Sequence, residues 1–175
     1  VRSEKGFQVA TKNTTTGAIT TRMSSGMPDL TGLSVSDVAT ATSITLAADT
    51  ISVINYTGAA AATCTLPAAT AGTVVVYAQA VDTTGGTATL VFDAAGSDVW
   101  ATGSVIESRG SSEVTFDTSA AGETKLTFTP ANATTNLLTV GGQIAFICYE
   151  TGTWHIASSL ARETTQVTGA FVFAA

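Results

Sequence analysis

Side chains able to do chemistry are scarce in this sequence, and each scarcity removes a class of function. Charged residues are 11% of the 175, and histidine occurs once, at position 155. A single histidine excludes His-rich metal sites and leaves any Ser-His-Asp arrangement with only one possible base. Trp154 beside it and the strand-like run around it mark His155 as a structural residue. No nucleophile elbow lies near it, and pairing with Cys64 as a thiol nucleophile has neither a supporting spacing nor an oxyanion motif. The two cysteines, Cys64 and Cys148, are too few for a disulfide framework and show no CxxC or Cys/His metal spacing. Each sits among apolar residues, as a buried free thiol does.

Seven Lys and Arg stand against thirteen Asp and Glu, for a net charge of −6. That balance excludes a general nucleic-acid binder, because neutralising phosphates needs clustered cations. No apolar run approaches the ~18 residues of a membrane helix, so no membrane partner is expected. The first residues lack the apolar stretch of a secretory leader, and a leader cleaved ahead of Val1 stays open. GxxxxGK[ST] and GxGxxG are absent, which assigns the glycines to turns and implies no nucleotide cofactor.

What the chain has instead is strand-forming material. Threonine makes up about a fifth of it, and valine is plentiful; both stiffen the backbone toward extended conformations. From residue 42 onward short strand signals recur every 8 to 14 positions between turn residues, the pattern of an all-β sandwich or barrel. The segments are 43–47, 50–56, 62–66, 73–81, 87–94, 104–108, 113–118, 125–129, 136–140, 143–150 and 154–158, with VTGAFVF closing the chain. In EVTFDT the alternation puts Val114 and Phe116 on one face and Thr115 and Asp117 on the other, which predicts an apolar face that packs and a polar face that meets solvent. Gly85-Gly86 and Gly152 predict tight hairpins over 73–94 and 143–158. Leu66-Pro67 ends one strand and Gly72 releases the chain into the next. The fold expected is an antiparallel β-sandwich, jelly roll or barrel over 42–175. Helical periodicity is nearly absent, with one short turn of helix predicted in SVSDVATATS.

Residues 1–41 differ in character. Their apolar residues are isolated, and Gly26-Met27-Pro28-Asp29 and Gly32 break any long element, so an extended N-terminal arm is expected, with strands near 6–10 and 17–22. Arg2, Lys5, Lys12 and Arg22 fall in this arm, whereas Arg109, Lys125 and Arg162 are scattered through a body that carries Asp82, Asp93, Asp98, Glu107, Glu113, Asp117, Glu123 and Glu150. The arm is either a solvated tail or a basic arm that docks on an acidic neighbour.

TLPAATAG, TVVVYAQAV, TATLVFDAAGSDVW and QIAFICYETGTWHIAS, taken in succession over residues 60 to 160, resemble β-domains of structural proteins of tailed bacteriophages, among them head decoration proteins and tail-fibre domains. The marks are Leu66, Pro67, Gly72, Asp98, Trp100, Gly152 and Trp154. The resemblance implies a non-enzymatic protein of the capsid surface, a trimer or other small homo-oligomer whose arm grips the major capsid protein. Arg2, Lys5, Phe7, Lys12 and Arg22 are then the arm residues expected to meet the partner. Phe171, Val172 and Phe173 either join subunits or complete the domain's own sheet.

Other chemistry finds thinner support. Asp93 and Asp98 raise a glycosidase pair or a calcium loop, but acids in a DAAGSD turn ordinarily bind their own backbone. Trp100, Tyr149 and Trp154 raise sugar binding by a tail-fibre or receptor-binding domain, against a role in core or interface. A fimbrial or surface-layer subunit is the remaining alternative, and it would require an upstream leader and a disulfide. The sequons at Asn13, Asn55 and Asn132 arise easily in a threonine-rich chain.

Overall fold

A computed structural model describes residues 7–12, 19–24, 34–38, 42–83, 88–109, 114–129, 139–162 and 171–175. The chain divides into two compact units, Val1–Ser34 and Val35–Ala175. The small unit is a hairpin of β1 (Phe7–Lys12) and β2 (Ile19–Ser24), antiparallel from Phe7↔Ser24 to Lys12↔Ile19. The two strands expected in the arm are thus paired with each other.

The large unit is all-β, with no helix among the described residues. The helical turn expected in SVSDVATATS is instead strand β3 (Ser34–Val38). Valines at 35 and 38 are stiff at χ1, and serines at 34 and 36 compete for backbone hydrogen bonds, so extended pairing prevails. The strands that follow are β4 (Ser43–Thr45), β5 (Thr50–Ile54), β6 (Ala62–Thr65), β7 (Val74–Gln79), β8 (Leu90–Asp93), β9 (Val99–Trp100) and β10 (Val105–Arg109). After them come β11 (Val114–Thr118), β12 (Lys125–Phe128), β13 (Gln143–Glu150), β14 (Thr153–Arg162) and β15 (Phe171–Ala174). The expected strand over 136–140 lies mostly outside the described residues, and Thr139 and Val140 are not in a strand.

One sheet runs β11-β10-β14-β13-β7-β5-β3, with β9 added on β14; the other runs β15-β12-β8-β6-β4. Their inner faces share one core, and aromatic rings cross between them. Tyr77 meets Phe92 edge-on at 5.0 Å, Phe92 meets Phe146 at 5.3 Å and Trp100 meets Phe173 at 5.7 Å. Inward rows follow the register across the second sheet. Ile44, Cys64, Phe92, Leu126 and Phe173 form one row, and Ala62, Leu90, Phe128 and Phe171 form the next; all are buried. Each large side chain in these rows contributes about 1.5–3 kcal/mol by leaving water.

The sheets are mixed, which corrects the expectation of an antiparallel fold. Between β4 and β8 the chain changes sheet at every step, so strands that become neighbours point the same way. β4, β6 and β8 are parallel in one sheet, and β5 and β7 are parallel in the other. The expected hairpin over 73–94 is therefore an arch, because β7 and β8 belong to opposite sheets. The hairpin over 143–158 is present, with Glu150 opposite Thr153 and Gly152 at φ 90°.

Polar side chains are buried as well, Gln79 among them. Gln79, buried, accepts a hydrogen bond from the Tyr77 hydroxyl and donates to the carbonyls of Tyr56 at 2.7 Å and Val81 at 2.6 Å. Its amide is satisfied by donors and acceptors within reach, as burial requires.

Candidate functional site

Of the seven residues that carry the resemblance, Asp98, Trp100, Gly152 and Trp154 are brought together at one corner of the sandwich. Asp98 Oδ2 accepts from the N–H of Ala69 at 2.7 Å. The Ala69 carbonyl accepts from Gly152 N at 2.9 Å, and the Gly152 carbonyl accepts from Val99 N at 3.0 Å. β9 then pairs with β14 in parallel, Trp100 opposite Trp154, and Ala101 N donates to the Trp154 carbonyl at 2.8 Å. Gly72, at φ 91°, donates to the Cys148 carbonyl at 2.8 Å. Leu66, fully buried, donates its N–H to the Asp93 carbonyl at 2.8 Å.

The corner is a clasp. Where three loops meet no ladder can satisfy the main chain, and a buried N–H left alone costs about 1–3 kcal/mol. Asp98 supplies the missing acceptor, and Gly72 and Gly152 supply backbone angles that other residues rarely adopt. The motif is consumed in holding the fold together.

Groups that raised chemistry are likewise committed or unreactive. Asp98 accepts from the Ala69 N–H. Cys64 and Cys148 are free thiols, both buried. Burial pushes Cys64 up to about 12 and raises Cys148 as well, with Asp98 and Glu150 adding to the rise and main-chain hydrogen bonds opposing it. The Cys148 thiol donates to the Glu150 carbonyl at 3.0 Å. Burial also holds Tyr56 at about 12 and Tyr77 well above its ordinary value. Among the described residues no three His, Cys, Asp or Glu side chains are grouped to hold a metal ion.

The aromatic residues sort clearly. Trp100 and Trp154 are buried in the core, which removes them as sugar platforms, whereas Tyr149 is 66% exposed. Tyr149 packs edge-on against His155 with ring centres 4.8 Å apart. An open basin of about 400 Å³ is bordered by Val99, Trp100, Thr102, Glu150, Thr153 and His155 among others, and Tyr149 is not part of its lining. The indole Nε1 of Trp100 and the imidazole Nε2 of His155 are buried and have no hydrogen-bond partner, as is the Nε1 of Trp154.

Of the expected partner-binding residues, Arg2 and Lys5 lie outside the described residues. Phe7, Lys12 and Arg22 belong to the hairpin unit, Arg22 opposite Val9 in its register. Phe171 and Phe173 point inward and complete the domain's own sheet; only Val172, 45% exposed, faces out.

A surface the sequence reading missed lies on β10 and β11. Phe116 is 65% exposed, Val114 49% and Val105 45%, and the register places all three on one face, with Glu107 opposite Phe116. The alternation of EVTFDT was legible, but its sense is reversed: the apolar face is outside. Asp117, paired across from the buried Ile106, turns inward and accepts from the N–H of Phe173 at 2.8 Å. A carboxylate thereby links the edge strand of one sheet to the edge strand of the other. No protein-family model matches the chain, and no curated protein matches it.

Proposed function

We propose that the chain is a non-enzymatic structural protein of a tailed-phage virion, a decoration or cement protein that binds the head by bridging neighbouring capsid subunits. The observation that carries this reading is the coincidence of charge with architecture. Residues 1–34, a unit of their own, hold four cations (Arg2, Lys5, Lys12, Arg22) against two acids (Glu4, Asp29). Residues 35–175 hold three cations against eleven acids. A basic unit joined to an acidic block suits attachment: the arm finds an acidic neighbour through steering and adds main-chain pairing, while the block supplies bulk and stiffness.

The body supports the same reading. Its best hydrophobic residues fill a two-sheet core, and its motif holds a corner closed. Cohesion needs nothing reactive: copies bound only to the assembled shell stabilise that state by mass action. The major capsid protein is the partner, and small homo-oligomers on the capsid surface are the arrangement.

Add-back tests it. Purified protein is mixed with expanded heads that lack it, and bound copies and heat resistance are measured. Saturable binding with raised resistance is expected, weakened by salt and by the fourfold replacement of Arg2, Lys5, Lys12 and Arg22 with Glu. Heads that gain neither copies nor resistance would refute the reading.

A further inference from the structure

We propose that β11 is the strand through which two copies of this chain join, pairing antiparallel about a two-fold axis at Phe116 to make one continuous sheet. The inference rests on the reading above for its homo-oligomer and names the surface that forms it.

The direction of the main chain points there. In an antiparallel ladder, pairs that exchange hydrogen bonds alternate with pairs that do not. Ser119 N donates to the Ser104 carbonyl at 2.9 Å, and in the same register Asp117 opposite Ile106 is the next bonded pair. Phe116 opposite Glu107, Thr118 opposite Val105 and Val114 opposite Arg109 are pairs of the other kind. Their β11 N–H and C=O groups are turned away from β10. The far side of β10 agrees, since the Glu107 carbonyl accepts from the Ser159 hydroxyl on β14 at 2.7 Å and so faces away from β11. β11 ends its sheet, and the outward main-chain groups of Val114, Phe116 and Thr118 have no partner among the described residues.

Edge strands are ordinarily blunted by brevity, proline, lysine or a bulge. β4 is three residues long, and on β15 the Phe173 N–H is answered by Asp117. β11 has five residues with neither proline nor lysine, and its ladder with β10 is unbroken. Val114 and Phe116, whose main chain looks outward, also carry the exposed apolar side chains. An added strand covers both at once.

The sequence of β11 selects a second copy as that strand. With the axis at Phe116 all five residues overlap: Phe116 lies opposite Phe116, Val114 opposite Thr118, and Thr115 opposite Asp117. Aromatic and β-branched pairs of this kind stabilise neighbouring strands. Shifting the axis shortens the overlap, and an axis at Asp117 sets two carboxylates face to face. The two Glu107 residues are left three strand spacings apart, about 14 Å, beyond the screening length at physiological salt. Three bonded pairs supply about six main-chain hydrogen bonds, and Val105, Val114 and Phe116 of both copies make one outer apolar face.

Sedimentation of the full chain from about 5 to 500 μM tests it. A dimer in the micromolar range is expected, as suits a contact smaller than the ~1,600 Å² of a standard interface. F116K sets two cations opposite each other at the axis and should weaken the dimer at least tenfold at an unchanged melting temperature, because Phe116 is exposed. T118P keeps Phe116 but removes an N–H that β10 does not use, and should weaken it as well. Disulfide capture needs neither variant: bonded pairs stand ~5.5 Å apart at Cα, within disulfide reach. F116C should oxidise to a covalent dimer, and V140C, also exposed, should not. A chain that stays monomeric throughout would overturn the proposal by leaving the edge to some other strand. So would a dimer indifferent to F116K, an assembly that closes at three copies, or F116C that links no faster than V140C. Capsid add-back can succeed where this dimer fails, or fail where it forms.

Discussion

Replacing Asp98 with Ala should be costly, because its carboxylate accepts from the main-chain N–H of a buried residue. Ala69 is only 3% exposed, and its N–H donates to Asp98 Oδ2 at 2.7 Å. A hydrogen bond to a charged acceptor contributes about 1.5–3 kcal/mol, and orphaning the buried donor costs about 1–3 kcal/mol. These describe the same loss from two sides and are not summed. Asp98 is half-buried, so water recovers part of it, and about 2 kcal/mol is expected. For a domain of this size 1 kcal/mol moves the melting temperature about 2–4 °C, so D98A should melt about 4–8 °C below the parent. Asn at 98 keeps an oxygen acceptor without the charge and should lose less than half as much. Calorimetry and urea titration measure the global effect. Amide exchange locates it: Ala69 and Gly152, consecutive in the clasp, should lose protection more than residues of β12. A D98A protein that melts within about 1 °C of the parent would show that the clasp is held by packing alone.

Four further outcomes follow from the core and the seam. Cys64 and Tyr56 stay neutral in the folded chain up to about pH 12, whereas in the unfolded chain they ionise near 9.0 and 10.0. Folding is therefore undiminished below pH 9 and loses about 1.4 kcal/mol per pH unit for each such group above its unfolded value; C64A should flatten the alkaline fall measured by urea titration from pH 9 to 11. A thiol reagent at pH 8 should label neither cysteine of the native protein quickly and both after denaturation. Phe92→Ala removes a fully buried ring that touches Tyr77 and Phe146 across the sheets, and a loss of about 3–5 kcal/mol is expected in chemical denaturation. D117A uncaps the Phe173 N–H; it should cost about 1–2 kcal/mol and raise light scattering, since a freed edge strand offers itself to another chain.

How far the sequence could be read differs by element. Strand existence was legible from alternation and turn residues, and so was the 143–158 hairpin, because Glu150-Thr151-Gly152-Thr153 is a local signal with a local outcome. The 73–94 segment carried a similar signal at Gly85-Gly86, yet β7 and β8 lie in opposite sheets. Reversal of the chain is all that turn residues encode; whether the returning strand pairs beside its predecessor or faces it across the core is decided by long-range partners. For β8 those partners are β6 and β12. The same reasoning covers EVTFDT. Alternation identifies two faces but not which is buried, and Asp117 reversed the expected sense by finding an N–H to serve on the inner side. Tyr149 was among the aromatics singled out, but its separation from Trp100 and Trp154 depends on exposure, which only the three-dimensional arrangement supplies.

The clasp also redirects where function is to be sought. Residues that make a sequence recognisable are often taken as its working parts, yet here Asp98 and Gly152 hold Ala69, Trp100 pairs with Trp154, and Gly72 holds Cys148. Changing them should unfold a corner and not abolish a contact. The surfaces they leave free have less distinctive sequences: Phe116 with Val105 and Val114 on one outer face, and Tyr149 packed on His155. Those surfaces can vary while the clasp persists, since nothing in the corner's hydrogen bonding depends on them. If so, alanine at Phe116 or Tyr149 should leave melting nearly unchanged, and at Phe116 weaken association, whereas D98A should do the opposite. A Y149A protein that melted as low as D98A would place the exposed ring inside the fold's own support and remove the distinction between the two kinds of residue.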